Sequence, residues 1–341
     1  MPRDAQDAAA TGAVALPRLP HLEALLARAT HAALPRAGWR GWLREHLAGP
    51  PLSAAATVAA AWGLPQDATR QYWLATPVHL FAGLDSVHLH PQGLLRLSNE
   101  GQQRLVSDFA ALFRDSPWRL FARDRRELLL SGPPVAADGA DPATLLGSDP
   151  SAGLPRGADA ATLKRLGSEI ELWLYEHPLN LERQRAAQLP VTALWLWGST
   201  PPVPAGTPAG APPARQPACA ALPRLAGEDT YAEALWQLCG APAGSAPAAG
   251  APAANAAATL DASSALREPR GVVMLQRVGE PPGLAAQLAQ LERHWFAAVR
   301  AALRARRLSG LHVLTGTHVH TARWWSLARL WRRRRPWWEL L

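Results

Sequence analysis

Two His-X-His pairs, His88/His90 and His318/His320, have the residue types and spacing most readily turned to chemistry, with His79 and His312 close by in sequence. Residues two apart on a strand share a face, so each pair can aim two imidazoles at one metal ion. Such a site also needs a third ligand and carboxylate support. Asp85 is the one acid near either pair that offers itself, and both pairs are read as solvated histidines on strand faces. Cys219 and Cys239 stand too far apart for a CxxC motif and are read as small buried residues. Ser98 and Ser168 lie in no nucleophile-elbow context, and neither G-x-S-x-G nor a Walker-type phosphate loop occurs. Asp138-Gly139 is the only Asp-Gly pair, and its loop setting makes it a turn rather than a metal ligand. Near the C-terminus four arginines, 332–335, sit between Trp324, Trp325 and Trp331 on one side and Trp337 and Trp338 on the other. Arginine with tryptophan binds phosphates, stacks on bases or sits at a membrane interface. The reading adopted is that the tryptophans dock a last helix and leave the arginines solvated.

The elements that must position any of these groups are clearest between Lys164 and Gly198. Leu166, Ile170, Leu172, Trp173, Leu174 and Leu179 recur at helical spacing, with Glu169, Glu171 and Glu176 among them. His177-Pro178 interrupts that helix, because proline lacks the N–H and disfavours α geometry in the residue before it. Asn180 is the expected N-cap of a second short helix carrying Glu182, Arg183 and Arg185. Pro190 closes it, and Val191 to Trp197 reads as a strand that ends at Gly198.

A chain of 341 residues has ample length for one large domain or two ordinary ones. Its 32 prolines and 26 glycines imply long irregular connections. Among 35 basic residues only Lys164 is lysine, and Ile170 is the single isoleucine; that bias reflects a GC-rich genome and is discounted as functional evidence. A net charge of +8 admits anionic partners without specifying one. Two cysteines exclude a disulfide framework of the secreted kind. The first residues lack a signal-peptide pattern and no apolar run reaches bilayer length, so a soluble cytoplasmic protein without a membrane span is expected.

Residues 1–12 read as a disordered N-terminus and 13–70 as a helical N-terminal part, with helices over 19–33, 39–47 and 52–62. Residues 71–131 form an antiparallel α+β subdomain: two strands, a helix capped by Ser98, and two more strands. A long loop over 132–159 precedes the α/β C-terminal part, 160–341. There, 201–217 and 241–258 are flexible Pro/Ala/Gly loops. A helix at 230–238, a strand at 271–278, a helix at 284–306 and a strand at 310–314 complete it.

SEIELWLYEHPLNLERQRAAQLPVTALWLWG resembles the segment shared by RpfE-type regulatory proteins, with the pattern EIQMxLHxHPVN…R…LPVNSLWLWGGG. YWLATPVHLFAGLDSVHLH, the SPWRLFARD…ELLL pair and the WRRRRP tail are similar to the same family. His177, Pro178, Asn180, Arg183 or Arg185, Pro190, Trp195, Trp197 and Gly198 match the pattern. Thr192 replaces an asparagine, and Ser199-Thr200 replace glycines. Members of that family are often labelled cofactor-independent phosphoglycerate mutases. The resemblance therefore implies an α/β fold of strand–helix layers, a trimmed alkaline-phosphatase-like scaffold around the antiparallel subdomain. Mutase chemistry uses two metal ions held by Asp and His, and a serine that takes the phosphoryl group. The superfamily's Asp-Gly at the end of the first strand is absent here, and no Asp-His pair occurs.

The resulting expectation is a non-catalytic regulatory or interaction protein with no cofactor and no metal. Its partner would be an unknown protein or a small anionic ligand held by His177, Asn180, Arg183 and Gly198. A phosphotransferase of the mutase type is the alternative, and nucleic-acid binding through the Arg/Trp tail ranks behind both.

Overall fold

The computed structural model describes residues 17–34, 38–83, 85–123, 126–199, 224–226, 229–240, 271–273, 288–329 and 331–340. Helices are labelled in chain order as α1 (Pro20–Arg28), α2 (Gly38–His46), α3 (Ala54–Ala61) and α4 (Asn99–Leu112). They continue as α5 (Ala160–Tyr175), α6 (Pro178–Arg185), α7 (Thr230–Leu238) and α8 (Ala297–Arg304). Strands are β1 (Thr30–Ala33), β2 (Gln71–Ala82), β3 (Val87–Leu94), β4 (Arg119–Phe121), β5 (Leu128–Gly132) and β6 (Ala137–Asp138). The rest are β7 (Arg156–Gly157), β8 (Ala193–Trp197), β9 (Arg224–Ala226), β10 (Gly271–Val273), β11 (Gly310–Leu314) and β12 (His318–Arg323). The chain divides into two compact units, one made of residues 1–47, 220–228 and 241–341, the other of 48–219 and 229–240.

In the first unit the helix expected over 19–33 ends at Arg28, and Thr30–Ala33 leaves it as β1. Cross-strand pairing overrides helical continuation there: β1 runs antiparallel to β12, Thr30 opposite Thr321 and Ala33 opposite His318, and β12 pairs on its other edge with β11. Leu25 of α1 packs with Val299 and Leu303 of α8, Ala322 and Leu327. The segment preceding α8 takes a π-helical turn, Glu292–Phe296. Within that turn the buried Glu292 carboxylate accepts the amides of His21 (2.5 Å) and Leu22 (3.2 Å), two of the orphan donors at the start of α1. No helix forms in the described tail beyond short 3-10 turns. Trp337 docks it, donating its indole N–H to the Pro17 carbonyl at 3.0 Å and packing on Leu19, Leu22 and Leu26, while Trp331 stays 77% exposed.

The second unit is built on β2, which binds neighbours along both edges. On one edge its first half pairs with β5, Gln71 opposite Gly132, and its last residues pair with β3, Ala82 opposite Val87. On the other edge β8 lies antiparallel, Leu74 opposite Trp197 and Val78 opposite Ala193. Pro77 falls where β5 has ended and β3 has not begun, so its missing N–H leaves no ladder bond unmade; its carbonyl accepts the Leu95 amide at 2.9 Å. Both faces of the sheet are covered. Trp73, Ala75, Leu128, Leu130, Leu194 and Leu196 pack on α4 and α5 through Leu105, Phe109, Leu166 and Ile170. Tyr72, Leu74, Leu129, Trp195 and Trp197 face α3 and α7 through Ala55, Val58 and Ala234. Burial on both sides explains why β2 and β8 read as nearly continuous apolar runs.

Among the described residues the sheets are antiparallel except for the β9–β10 pair, so the architecture is mixed α/β with antiparallel sheets. β8, which lies within the 160–341 part, pairs with β2 of the 71–131 part. The parts of the expected 271–278 strand and 284–306 helix at 274–278 and 284–287 lie outside the described residues, as do Cys219 and the loops 201–217 and 241–258.

One histidine of the first unit carries a pH prediction. His320 is buried, its Nδ1 lies 2.7 Å from Nδ1 of His31, and burial, with the charges of His31 and His318 behind it, pushes its pKa down to about 4. A folded-state pKa below the unfolded value gives stability that is present above about pH 6.5 and lost as pH falls toward 4, at most about 3 kcal/mol for this shift. Urea denaturation midpoints should therefore drop between pH 7 and pH 4.5, and His320→Gln should flatten that drop; an unchanged slope contradicts the assignment.

Candidate functional site

The four residues singled out from sequence fall at opposite ends of β8. His177, Asn180 and Arg183 gather where the chain enters the strand, and Gly198 follows its last residue. His177, not Asn180, caps α6: its Nδ1 accepts the Leu179 amide at 3.2 Å, with Pro178 in the first helical turn. That fixes the proton on Nε2, which lies 3.1 Å from Asp108 Oδ2. Burial lowers the His177 pKa despite the Asp108 charge. The amide bond adds a physical reason, since protonating Nδ1 would remove the cap. Asn180 is buried and fully committed: its amide nitrogen donates to the carbonyls of Leu174 (2.7 Å) and Val191 (2.8 Å), and its oxygen accepts the Val191 amide (2.7 Å). It ties the end of α5 to the start of β8.

Arg183 differs. It is half-buried, its Nε donates to the Leu189 carbonyl at 2.8 Å, and no carboxylate among the described residues pairs with it. Burial lowers its pKa. Nearby, His79 of β2 hydrogen-bonds the Pro190 carbonyl through Nδ1 at 2.9 Å, so its neutral form bears the lone pair on Nε2. His79 lies low in pKa through burial, with the charges of His90 and Arg183 contributing. The His90 ring stands 5.7 Å from that of His79, and its Nδ1 accepts the Gln92 amide at 3.1 Å, which leaves Nε2–H as a donor. Phe81 borders His88 and His90 on the same face. Gly93 makes the close strand approach possible: a Cβ there would meet the carbonyl oxygens of His90 at 2.7 Å and His79 at 2.8 Å. One guanidinium and two imidazoles thus share a locality with no acid of their own, an arrangement suited to an anion.

At the far end of β8, Gly198 has φ +77°, a conformation glycine adopts without strain. Beside it the Asp138 Oδ1 accepts the amides of Gly139 (3.0 Å) and Ser199 (3.2 Å). Burial outweighs those bonds and pushes the carboxyl up to about 7. Gln71 holds the Ser199 hydroxyl, donating from Nε2 at 2.6 Å, while its Oε1 accepts the Val135 amide at 2.7 Å. The sequence marks Asp138 only as a turn and Ser199 only as a departure from a glycine pattern, and nothing local in it brings Gln71, Asp138 and Ser199 together.

His88 meets Ser86 Oγ at 3.1 Å, and Asp85 is exposed. His318 and His320 belong to the other unit; His320 is buried against His31 rather than solvated. Cys239 is the C-cap residue of α7 and is half-buried rather than buried. Among the described residues no three His, Cys, Asp or Glu side chains gather to hold a metal ion. No described helix is long and apolar enough to cross a membrane.

No protein-family model matches the chain, and no curated protein sequence does. The RpfE-type resemblance therefore rests on the sequence patches alone. Solved structures that are similar include the cofactor-independent phosphoglycerate mutase from Thermoplasma acidophilum DSM 1728, at 13% identity and TM-score 0.36, covering 90% of this chain and 82% of that one. The PH0037 protein from Pyrococcus horikoshii is similar at 12% identity and TM-score 0.40, covering 89% and 80% respectively. At TM-scores below 0.5 these likenesses bear no weight on the chemistry.

Asn180→Ala removes three buried hydrogen bonds and orphans the backbone groups they served. Unfolding free energy from urea titration should fall by about 3 kcal/mol. A loss under about 0.5 kcal/mol would mean the α5–β8 tie is replaced by solvent.

Proposed function

We propose that this chain is a cytoplasmic regulatory or interaction protein of the RpfE type that takes a small anionic ligand at Arg183, His79 and His90. The observation that carries the reading is the half-buried Arg183 guanidinium, whose one hydrogen-bond partner is a backbone carbonyl. A desolvated cation without a counter-charge is costly, and an anion supplied from solution offsets that cost. His177 and Asn180 enter as positioning residues, because they fix the turn from which Arg183 projects. Inorganic phosphate is the direct probe, followed through the imidazole NMR resonances of His79 and His90. Both should shift on titration, with affinity rising as pH falls and His79 takes up a proton. Arg183→Met should weaken binding about tenfold or more, the scale of one charge-assisted contact. Imidazoles that stay unmoved at phosphate concentrations on the order of 10 mM would sink this reading.

A second reading, phosphoryl transfer of the phosphoglycerate mutase type, is favoured by a buried carboxyl beside a serine: Asp138 accepts the Ser199 backbone amide, and Gln71 holds the Ser199 hydroxyl. A carboxyl near neutrality is suited to take a proton, and Ser199 is the hydroxyl that would lose one. Phosphorus NMR of 3-phosphoglycerate incubated with the protein and manganese tests it. This reading expects 2-phosphoglycerate to form with the wild type and not with Ser199→Ala; equal turnover by both would exclude Ser199 as nucleophile.

A further inference from the structure

Two groups of arginines in the first unit contrast with each other. Arg329 and Arg332 donate from Nη1 to the carbonyls of Arg28 (3.4 Å) and Ala29 (2.8 Å), closing the C-terminal end of α1. Their charge is well placed there, since the carbonyl end of a helix favours cations. Arg28, Arg300, Arg304 and Arg334 are placed otherwise. Arg28 is the last residue of α1 and only 6% exposed, yet its Nε has no hydrogen-bond partner. On α8, Arg300 touches His21 Nδ1 through Nη1 at 3.2 Å, and its Nε is likewise buried without a partner. Arg304, one turn further along α8, and Arg334 of the tail are exposed. Burial disfavours the charge of Arg28 and Arg300, and neighbouring cations add to it: Arg334 and Arg304 act on Arg28, and Arg304, Arg334 and Arg28 act on Arg300. Glu292 is the one carboxylate acting on Arg300, and both its oxygens are spent on the His21 and Leu22 amides. None of the four forms an ion pair among the described residues, and all belong to one compact unit.

We infer that Arg28, Arg300, Arg304 and Arg334 form a binding site for a compact polyphosphate, with Arg28 and Arg300 at its floor and Arg304 and Arg334 at its rim. Guanidinium groups recognise phosphate oxygens through paired N–H donors, and buried, unused Nε–H groups are the donors such pairing needs. One buried and one half-buried cation below two exposed ones suit a short chain of phosphates that reaches inward. A nucleic-acid backbone, held at the surface, would need its cations outside.

The test is isothermal titration of the full-length protein with inorganic tripolyphosphate at physiological salt, beside a nucleoside triphosphate and a single-stranded oligonucleotide. Tripolyphosphate should bind, and the double variant Arg28→Met/Arg300→Met should lose at least tenfold in affinity. That variant should also melt at the wild-type temperature or higher without ligand, because two mutually repelling, partly desolvated charges are gone. Should it fail to fold, Arg304→Gln/Arg334→Gln changes exposed residues only and should still weaken binding several-fold. A triphosphate that binds more tightly than tripolyphosphate marks the source as a nucleotide, and equal affinity marks inorganic polyphosphate; either supports the site. The inference is overturned if the wild type does not bind tripolyphosphate or if both variants bind as the wild type does. It is equally overturned if the oligonucleotide binds and tripolyphosphate cannot displace it.

Discussion

Hydrogen bonding along both edges of β2 is the constraint on which the second unit depends. A strand has two edges, and β2 fills them with three partners by giving β5 and β3 successive stretches of one edge and β8 the other. Every consequence for the candidate site follows from that allocation. His79 reaches Pro190 because β8 begins opposite Val78, and Thr192 continues the contact by offering its hydroxyl to the Leu80 amide at 2.6 Å. At the other end Gln71, the first residue of β2, reaches Ser199 because β8 finishes there. One strand therefore serves the polar groups at both ends of its partner, while its middle is closed to solvent on both faces.

Local pattern was legible wherever one element decided its own form. Ser98 caps α4 through the Gly101 amide, as its position before a polar first turn implies, and α7 occupies the residues its periodicity marks. The turn at His177-Pro178 was visible too. Which side chain caps it was not, because histidine is a weak cap by type and acts here only with Nδ1 unprotonated. β1 was hidden in a helical pattern because its reason for being a strand lies almost three hundred positions away in β12. The pairing of β8 with β2 was not legible for the same reason: both strands are visible in the sequence, but edge pairing is a property of the partner. Of the candidate site, Arg183 was legible as a cation near a turn. The isolation of that cation from acids is a tertiary fact, as is the encounter of Asp138 with Ser199.

Arginine does much of the backbone capping in this molecule. Arg119 donates to the carbonyls of Ser116 and Trp118, Arg123 to that of Trp62, Arg183 to that of Leu189, and Arg332 to that of Ala29. A planar fork with several donors suits that work better than an ammonium, which gives the near absence of lysine a structural reading beside its genomic one. Against this background the informative arginines are those whose donors have not been used. The net charge of +8 is thus an average over cations with different duties, and says less about partners than the few that lack a local one.

The discontinuity of the first unit bears on how the molecule is made. Its sheet is completed by β12, which pairs with β1 across nearly the whole length of the chain. Synthesis from the N-terminus therefore delivers α1 and β1 long before anything that can cover them, and finishes the second unit's segments in the interval. Until β11, β12 and α8 emerge, Leu22, Leu25 and Leu26 have no core to enter and the edge of β1 has no partner. Such late, long-range closure is slow and leaves apolar surface and strand edge open to association. Any early stop before β12 therefore leaves β1 without the strand that completes its sheet.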